Sequence, residues 1–183
     1  MAHRELEWKC IASDPGPDLK LFKARFDHMK NPRNEKIERM IILESADSAN
    51  VVSITPKREI LFVEQYRFGI GSNTIELPGG IVDAGEEALI AAKRELREET
   101  GYSAKHWTAL GKIPRNPVFM DSYIHHFLAE DIKLEHQLDL DDGELVELIT
   151  IPVAEVKRKL WDGFFQHPHT VNALLLYFRT LMK

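Results

Sequence analysis

One unit of the chain limits what the rest can be: a single patterned helix set between two runs of strand-like segments and entered through a proline–glycine turn. The turn is Pro78-Gly79-Gly80. The spacing predicts the helix from about Ala84 to Thr100. Asp83 stands at the N-cap position with Glu86 three residues on, a capping-box arrangement. Leu89, Ala92 and Leu96 recur at i, i+3 and i+7 and form one apolar face. Gly101 suits a left-handed C-terminal stop. A lone helix among strands argues against a regular βαβ repeat.

The acidic residues of this helix exceed what its stability asks for. Glu95, Glu98 and Glu99 fall at i, i+3 and i+4, so their carboxylates project from one side. Like charges at that spacing cost roughly 0.2–0.5 kcal/mol per pair, partly offset by Arg94 and Arg97. Spacing alone suits a solvated acidic face at least as well. A hard divalent cation converts the repulsion into binding, because Mg²⁺ takes a few carboxylate oxygens with waters and substrate phosphate oxygens. The turn before the helix is poor in side chains, and glycines permit close backbone approach. A carbonyl there can reach the same cation, although a plain strand-to-helix connector has the same composition.

Around this unit, strands are predicted over Leu19–His28 and Arg39–Glu44, an antiparallel pair joined through the turn signal Asn31-Pro32-Arg33-Asn34. Further strands are Asn50–Thr55 and Glu59–Tyr66, joined at Pro56-Lys57-Arg58, then Thr74–Leu77, Lys105–Ile113, Tyr123–Glu130 and Leu145–Ile151. Val153–Trp161 and Thr170–Met182 read as helices. The breaker cluster Ser13-Asp14-Pro15-Gly16-Pro17 makes Met1–Gly16 a short lead-in. The expected class is α/β: a sandwich with a mixed β-sheet and an N-terminal antiparallel strand pair.

Composition excludes several functions. With 44% hydrophobic and 29% charged residues, the chain reads as soluble and globular. Its net charge of -5 advertises no nucleic-acid face, yet an acidic protein takes an anionic substrate when bound cations invert the local charge. Cys10 has no second cysteine to pair with, which fits a reducing compartment. Met1-Ala2-His3-Arg4-Glu5 lacks the apolar core of a signal peptide, and Ala173–Phe178 is too short to cross a membrane. A cytoplasmic location with no membrane partner is expected.

Gly80, five residues, Glu86, seven residues, then Arg94-Glu95-Leu96-Arg97-Glu98-Glu99-Thr100-Gly101-Tyr102 resembles a complete Nudix box, every prescribed position matching. In that family the box is a loop–helix–loop that binds divalent metal against a diphosphate. The resemblance implies a Nudix-type α/β/α sandwich. It makes Glu95 and Glu99 the principal metal ligands, with Glu98 close to the metals and the Gly79 carbonyl a further ligand. It has Arg94 orient a helix carboxylate, and Glu86 bind metal directly or through water. The implied cofactor is Mg²⁺, or Mn²⁺ in its place, neutralising the diphosphate and activating a water.

Outside the box, Val63-Glu64-Gln65-Tyr66-Arg67-Phe68 and Ile75-Glu76-Leu77-Pro78-Gly79-Gly80 resemble the branch that cleaves ADP-ribose and other nucleoside diphosphate sugars. Pro117, in Asn116-Pro117-Val118-Phe119-Met120-Asp121, and the following Tyr123–Ala129 resemble it too, although this loop departs from the small-residue version common in the ADP-ribose enzymes. The likeness runs from Ala49 to the C-terminus, so 49–183 is the expected hydrolase domain and 1–48 the N-terminal strands. Members of that branch are homodimers whose N-terminal strands cross to the partner, which implies a homodimer here.

Individual residues keep two readings. Arg67 suits a phosphate or a base, or a surface ion pair. Glu76 suits a ribose hydroxyl or base amine, or a structural salt bridge. Pro117 shapes a substrate loop, or is a turn proline. In the acidic run Asp139–Glu147, Glu144 aligns best with the late glutamate that accepts a proton or binds metal in this branch; a solvated loop has the same composition. With Glu98 and Glu99 it completes the expected catalytic set. His125 and His126 point to opposite faces of a strand, and His167-Pro168-His169 reads as a turn, so all four histidines are expected to be structural. Two alternative functions are a nucleoside triphosphate pyrophosphatase and a non-catalytic nucleotide-sugar sensor. An allylic diphosphate isomerase also shares the fold, but Cys10 is remote from the box.

Overall fold

The computed structural model describes residues 6–140 and 145–182. Among them the strands are β1 (Lys9–Asp18), β2 (Lys23–Lys30), β3 (Ile37–Glu44), β4 (Ser48–Ile54), β5 (Glu59–Arg67), β6 (Ser72–Glu76), β7 (Gly79–Ile81), β8 (Tyr102–Ser103), β9 (His106–Pro114), β10 (Tyr123–Glu130), β11 (Lys133–Leu134) and β12 (Val146–Pro152). The helices are α1 (Ala88–Thr100), α2 (Val153–Trp161) and α3 (Pro168–Thr180). They form two compact units: Met1–Ala46 with Pro114–Tyr123, and Asp47–Ile113 with Ile124–Lys183.

In the first unit β1, β2 and β3 make an antiparallel sheet in that order, three strands where a pair was expected. The stretch read as a lead-in is the strand β1. Its prolines fit because β1 is an edge strand whose register slips between Pro15 and Asp18, so no ladder donor is lost there. β2 starts at Lys23, not Leu19, because Leu19 N–H donates to the Phe22 carbonyl at 2.8 Å and closes a turn, with Lys20 at φ 67. Pro114–Tyr123 is tied to this sheet by Leu43 N–H on the Phe119 carbonyl, 2.7 Å, and by the Ser45–Ser122 hydroxyl pair, 2.7 Å.

The second unit is built on a mixed sheet in the order β12-β5-β4-β10-β9, with β6 on β5 and β7 on β4. β4 and β10 are parallel; β5 runs antiparallel to both β4 and β12. β4 is buried along its whole length, as a central strand covered on both faces must be. Alternation along it divides the core in two. Val52 and Ile54 pack with Phe62, Val156, Leu160, Leu174, Tyr177 and Phe178 beneath α2 and α3. Ala49 and Val51 pack with Leu61, Ala91, Ala92, Leu96 and Phe127 beneath α1. Each fully buried large apolar side chain stabilises by roughly 1.5–3 kcal/mol. The result is the expected α/β/α sandwich.

Two local expectations fail beside the helix. Glu86 does reach back to the Asp83 N–H, 3.1 Å, as in a capping box. The helix nevertheless begins at Ala88, because Glu86 N–H donates to the Asp83 carbonyl, 2.9 Å, and Gly85 takes φ 82, which together close a separate turn. The glycine turn is itself the short strand β7, pairing Asn50 with Gly79, Ala49 with Gly80 and Ser48 with Ile81. At the other end, Gly101 caps α1 in the left-handed conformation, φ 74, its N–H on the Arg97 carbonyl.

Candidate active site

The site grows from the junction of β7 and α1, both in the second unit. Pro78 has no N–H, and its carbonyl accepts the Val51 N–H at 2.9 Å. Gly79 follows at φ 156, a conformation that other residues rarely adopt. Its N–H donates to Glu99 Oε2 at 2.8 Å. Glu99 is 4% exposed, although nothing in helix packing demands a carboxylate there. Gly80 lies against Glu95: a Cβ on Gly80 falls 2.4 Å from Glu95 Oε1. The two glycines thus bring the chain against two of the three carboxylates singled out by spacing.

Arg94 organises the remainder. Its guanidinium donates to Glu86 Oε1 at 3.2 Å and Oε2 at 3.1 Å, to Glu95 Oε1 at 2.7 Å, to Glu98 Oε2 at 3.2 Å and to the Ile81 carbonyl at 2.9 Å. Arg97 holds the other oxygen of Glu98 at 2.7 Å. The planar fork of arginine, with five donors, suits this many acceptors. The hydrogen bond to Glu86 does most to push the Arg94 pKa above its ordinary value, and the same bond holds the Glu86 carboxyl below its own. Among the described residues no group of three Asp, Glu, His or Cys side chains is arranged to hold a metal ion. The candidate ligand atoms are carboxylate oxygens, and their chemistry suits a hard divalent cation that keeps waters and phosphate oxygens.

A second polar group stands where β5 and β6 meet α3. Arg67 donates to both oxygens of Glu76, at 2.6 and 2.7 Å, in a bidentate fork. The Thr74 hydroxyl also donates to Glu76, and His167 Nδ1 lies 3.1 Å from it. Burial alone would raise the Glu76 carboxyl, which is 2% exposed; the bond from Arg67 and the charge of His167 outweigh it and hold the pKa below the usual value. The two residues expected to meet substrate therefore meet each other.

The other expected site residues lie elsewhere. Pro117 belongs to the first unit, in a turn where the Asn116 carbonyl accepts the Met120 N–H at 2.8 Å and Asn116 Oδ1 accepts the Val118 N–H at 3.2 Å. Glu144 lies outside the described residues. His125 and His126 make separate bonds, to Asp47 at 2.8 Å and Asn50 at 2.7 Å. Sequence reasoning missed Asn50 and Thr170, whose bonds near the glycine turn span 119 and 93 residues and leave no local pattern.

Helices on both faces of a mixed sheet, with a carboxylate-bearing helix pressed on a glycine-rich strand, define the class: a Nudix-type hydrolase fold. Residues 44–173 match the model of the NUDIX domain. The chain is 32% identical over 156 residues to the ADP-ribose pyrophosphatase of Bacillus subtilis (strain 168), covering 85% of this chain and 84% of that one. It is 33% identical over 169 residues to the methanol dehydrogenase activator of Bacillus methanolicus, covering 92% and 91%. A crystal structure of ADP compounds hydrolase has the same fold, with a TM-score of 0.83 at 22% identity, covering 96% of this chain and 95% of that one. The chain belongs to the Nudix family and is a Nudix hydrolase.

Proposed function

We propose that the protein hydrolyses the diphosphate of ADP-ribose and related nucleoside diphosphate sugars, releasing a nucleoside monophosphate and a sugar phosphate. The observation that carries this is the pressing of Gly79 and Gly80 onto Glu99 and Glu95: the Gly79 N–H holds Glu99, and Gly80 leaves no room for a side chain beside Glu95. The likeness to an ADP-ribose pyrophosphatase over 85% of this chain supports the substrate class.

Glu95, Glu98, Glu99 and the Gly79 carbonyl would hold Mg²⁺, or Mn²⁺ in its place. When bound, the metal supplies charge for the diphosphate and lowers the pKa of a water. Arg94 keeps Glu86, Glu95 and Glu98 in place by its four partners. Glu98 and Glu99 belong to the catalytic set, and Glu144 is the proton acceptor for the attacking water. Arg67, whose side chain is 43% exposed, turns its outer face to a substrate phosphate or base, with Glu76 fixing its plane. Pro117 shapes the substrate loop.

The panel that tests this offers ADP-ribose, other nucleoside diphosphate sugars and nucleoside triphosphates, with Mg²⁺ or Mn²⁺, in ¹⁸O-labelled water. Monophosphate release from ADP-ribose that stops on chelation is the expected result. Turnover of triphosphates alone would shift the assignment to a triphosphate pyrophosphatase. No turnover of any diphosphate would leave a nucleotide-sugar sensor. The likeness to a methanol dehydrogenase activator favours one further reading, in which this chain acts upon an alcohol dehydrogenase. Stimulation of such a dehydrogenase by the wild type would support it.

Residues 1–48 are the dimer-forming part in this reading, and 49–183 the hydrolase domain; light scattering is expected to give twice 21.1 kDa, and a monomer overturns it. The cytoplasm is the proposed location, with neither nucleic acid nor membrane as partner. Among the described residues no helix is long and apolar enough to cross a membrane.

A further inference from the structure

The first turn of α3 touches the approach to the glycine turn at three places that the functional assignment does not use. His167 Nδ1 stands 3.1 Å from Glu76 Oε2. Leu77 N–H donates to Thr170 Oγ1 at 3.2 Å. The His169 carbonyl accepts Asn50 Nδ2 at 3.3 Å. Pro168 at the head of the helix fixes where that turn begins.

Between Glu76 and Gly80 the backbone has two N–H donors, on Leu77 and Gly79, because Pro78 has none. Each is held by a side chain of a different helix: Leu77 by Thr170 of α3, Gly79 by Glu99 of α1. Asn50 completes the grip from below. It pairs with Gly79 in the β4–β7 register, and a Cβ on Gly79 would fall 2.6 Å from its Cα. Since Asn50 Nδ2 donates to His169, its Oδ1 is the acceptor, and His126 Nδ1, 2.7 Å away, carries the proton. His126 is fully buried, and among the described residues its Nε2 has no hydrogen-bond partner. Burial pushes its pKa down to about 4, so it stays neutral and keeps that tautomer at neutral pH.

We infer that Thr170, His167 and the Asn50–His126 pair are positioning residues for the reaction: α3 sets the place of the Gly79 carbonyl relative to the carboxylates of α1. A backbone carbonyl has no side chain with which to adjust, so its position is decided by what fixes the chain on either side. The inference rests on the hydrolase reading given above.

Thr170→Val keeps the shape of a fully buried residue and removes the acceptor of the Leu77 N–H. With ADP-ribose and Mg²⁺, kcat is expected to fall about tenfold and KM to stay within about twofold, because misplacement acts on the reacting geometry. Mn²⁺ affinity of the substrate-free protein falls with it, and the Leu77 amide exchanges faster. Thr170→Ser restores all of these. Wild-type kcat, Mn²⁺ affinity and Leu77 protection in Thr170→Val overturn the inference, as does a Thr170→Ser protein equally impaired. Should Thr170→Val fail to fold, Asn50→Ala carries the same comparison at the second anchor, with unchanged kcat and Mn²⁺ affinity overturning it. A wild type without turnover sinks the substrate reading instead, and Mn²⁺ affinity and Leu77 exchange still decide this one.

Discussion

Glu99→Gln is expected to lower kcat about a thousandfold while leaving Tm unchanged or raised. Glu99 is 4% exposed, so its carboxylate has been taken out of water. Burying a charge costs stability, and a neutral isostere removes that cost. The amide oxygen of Gln can take over the Gly79 N–H, now bound at 2.8 Å, so the junction of β7 and α1 keeps its shape. What disappears is the negative charge, together with one oxygen acceptor that becomes an NH2 donor. If that charge serves the fold, Tm falls and kcat follows it. If it serves a cation, kcat collapses in a protein that melts no lower. Mn²⁺ separates the cases further: it raises the Tm of the wild type, since a ligand that binds only the folded state stabilises it, and raises that of the variant less. A folded Glu99→Gln protein with wild-type kcat in Mg²⁺ would falsify the metal-site assignment.

The residues that could be read from sequence are those whose reason for being is local. β10 and α2 appear within the bounds that their sequence patterns give: α2 turns Val156 and Leu160 to one core, and β10 feeds both, Leu128 on one side and Phe127 and Ala129 on the other. Gly101 is required by a left-handed φ of 74, which one position decides for itself. The start of α1 was misread because its signal was real but shared. Glu86 bonds back to Asp83 as a capping residue does, and it is also bound by Arg94, eight residues on. Gly85 at φ 82 then settles the matter in favour of a turn.

The site follows the same division. Glu95, Glu98 and Glu99 stood out in the sequence as like charges on one side of a helix, but their contacts with Gly79, Gly80 and Arg94 needed the fold. Arg67 and Glu76 were each legible as unusual, but not as partners, since their fork needs the β5–β6 register and the turn between the strands. Thr170 and Asn50 were silent. Their role depends on α3 reaching the glycine turn, and that contact exists only once the sheet is assembled between its two helical layers.

The neighbouring glycines should separate fold from chemistry. Gly79→Ala is expected to cost about 4 kcal/mol or more, lowering Tm by roughly 10 °C. The added Cβ would lie 2.2 Å from the Ala49 carbonyl oxygen and 2.6 Å from Asn50 Cα. Both are backbone atoms of the central strand β4, buried along its length, so neither can yield without breaking the sheet. The φ of 156 adds strain that alanine would carry and glycine does not. Gly80→Ala meets a different obstacle. Its Cβ would lie 2.4 Å from Glu95 Oε1 and 2.6 Å from its Cδ, the far end of a side chain that can rotate away. Stability should fall by about 1 kcal/mol at most, yet the carboxylate leaves its place beside Arg94 and the strand. A displacement of that kind costs about a hundredfold in kcat. Melting curves and kcat measured on the same samples decide both halves. A Gly79→Ala protein that melts with the wild type contradicts the backbone argument, and a Gly80→Ala protein with full activity removes Glu95 from the site.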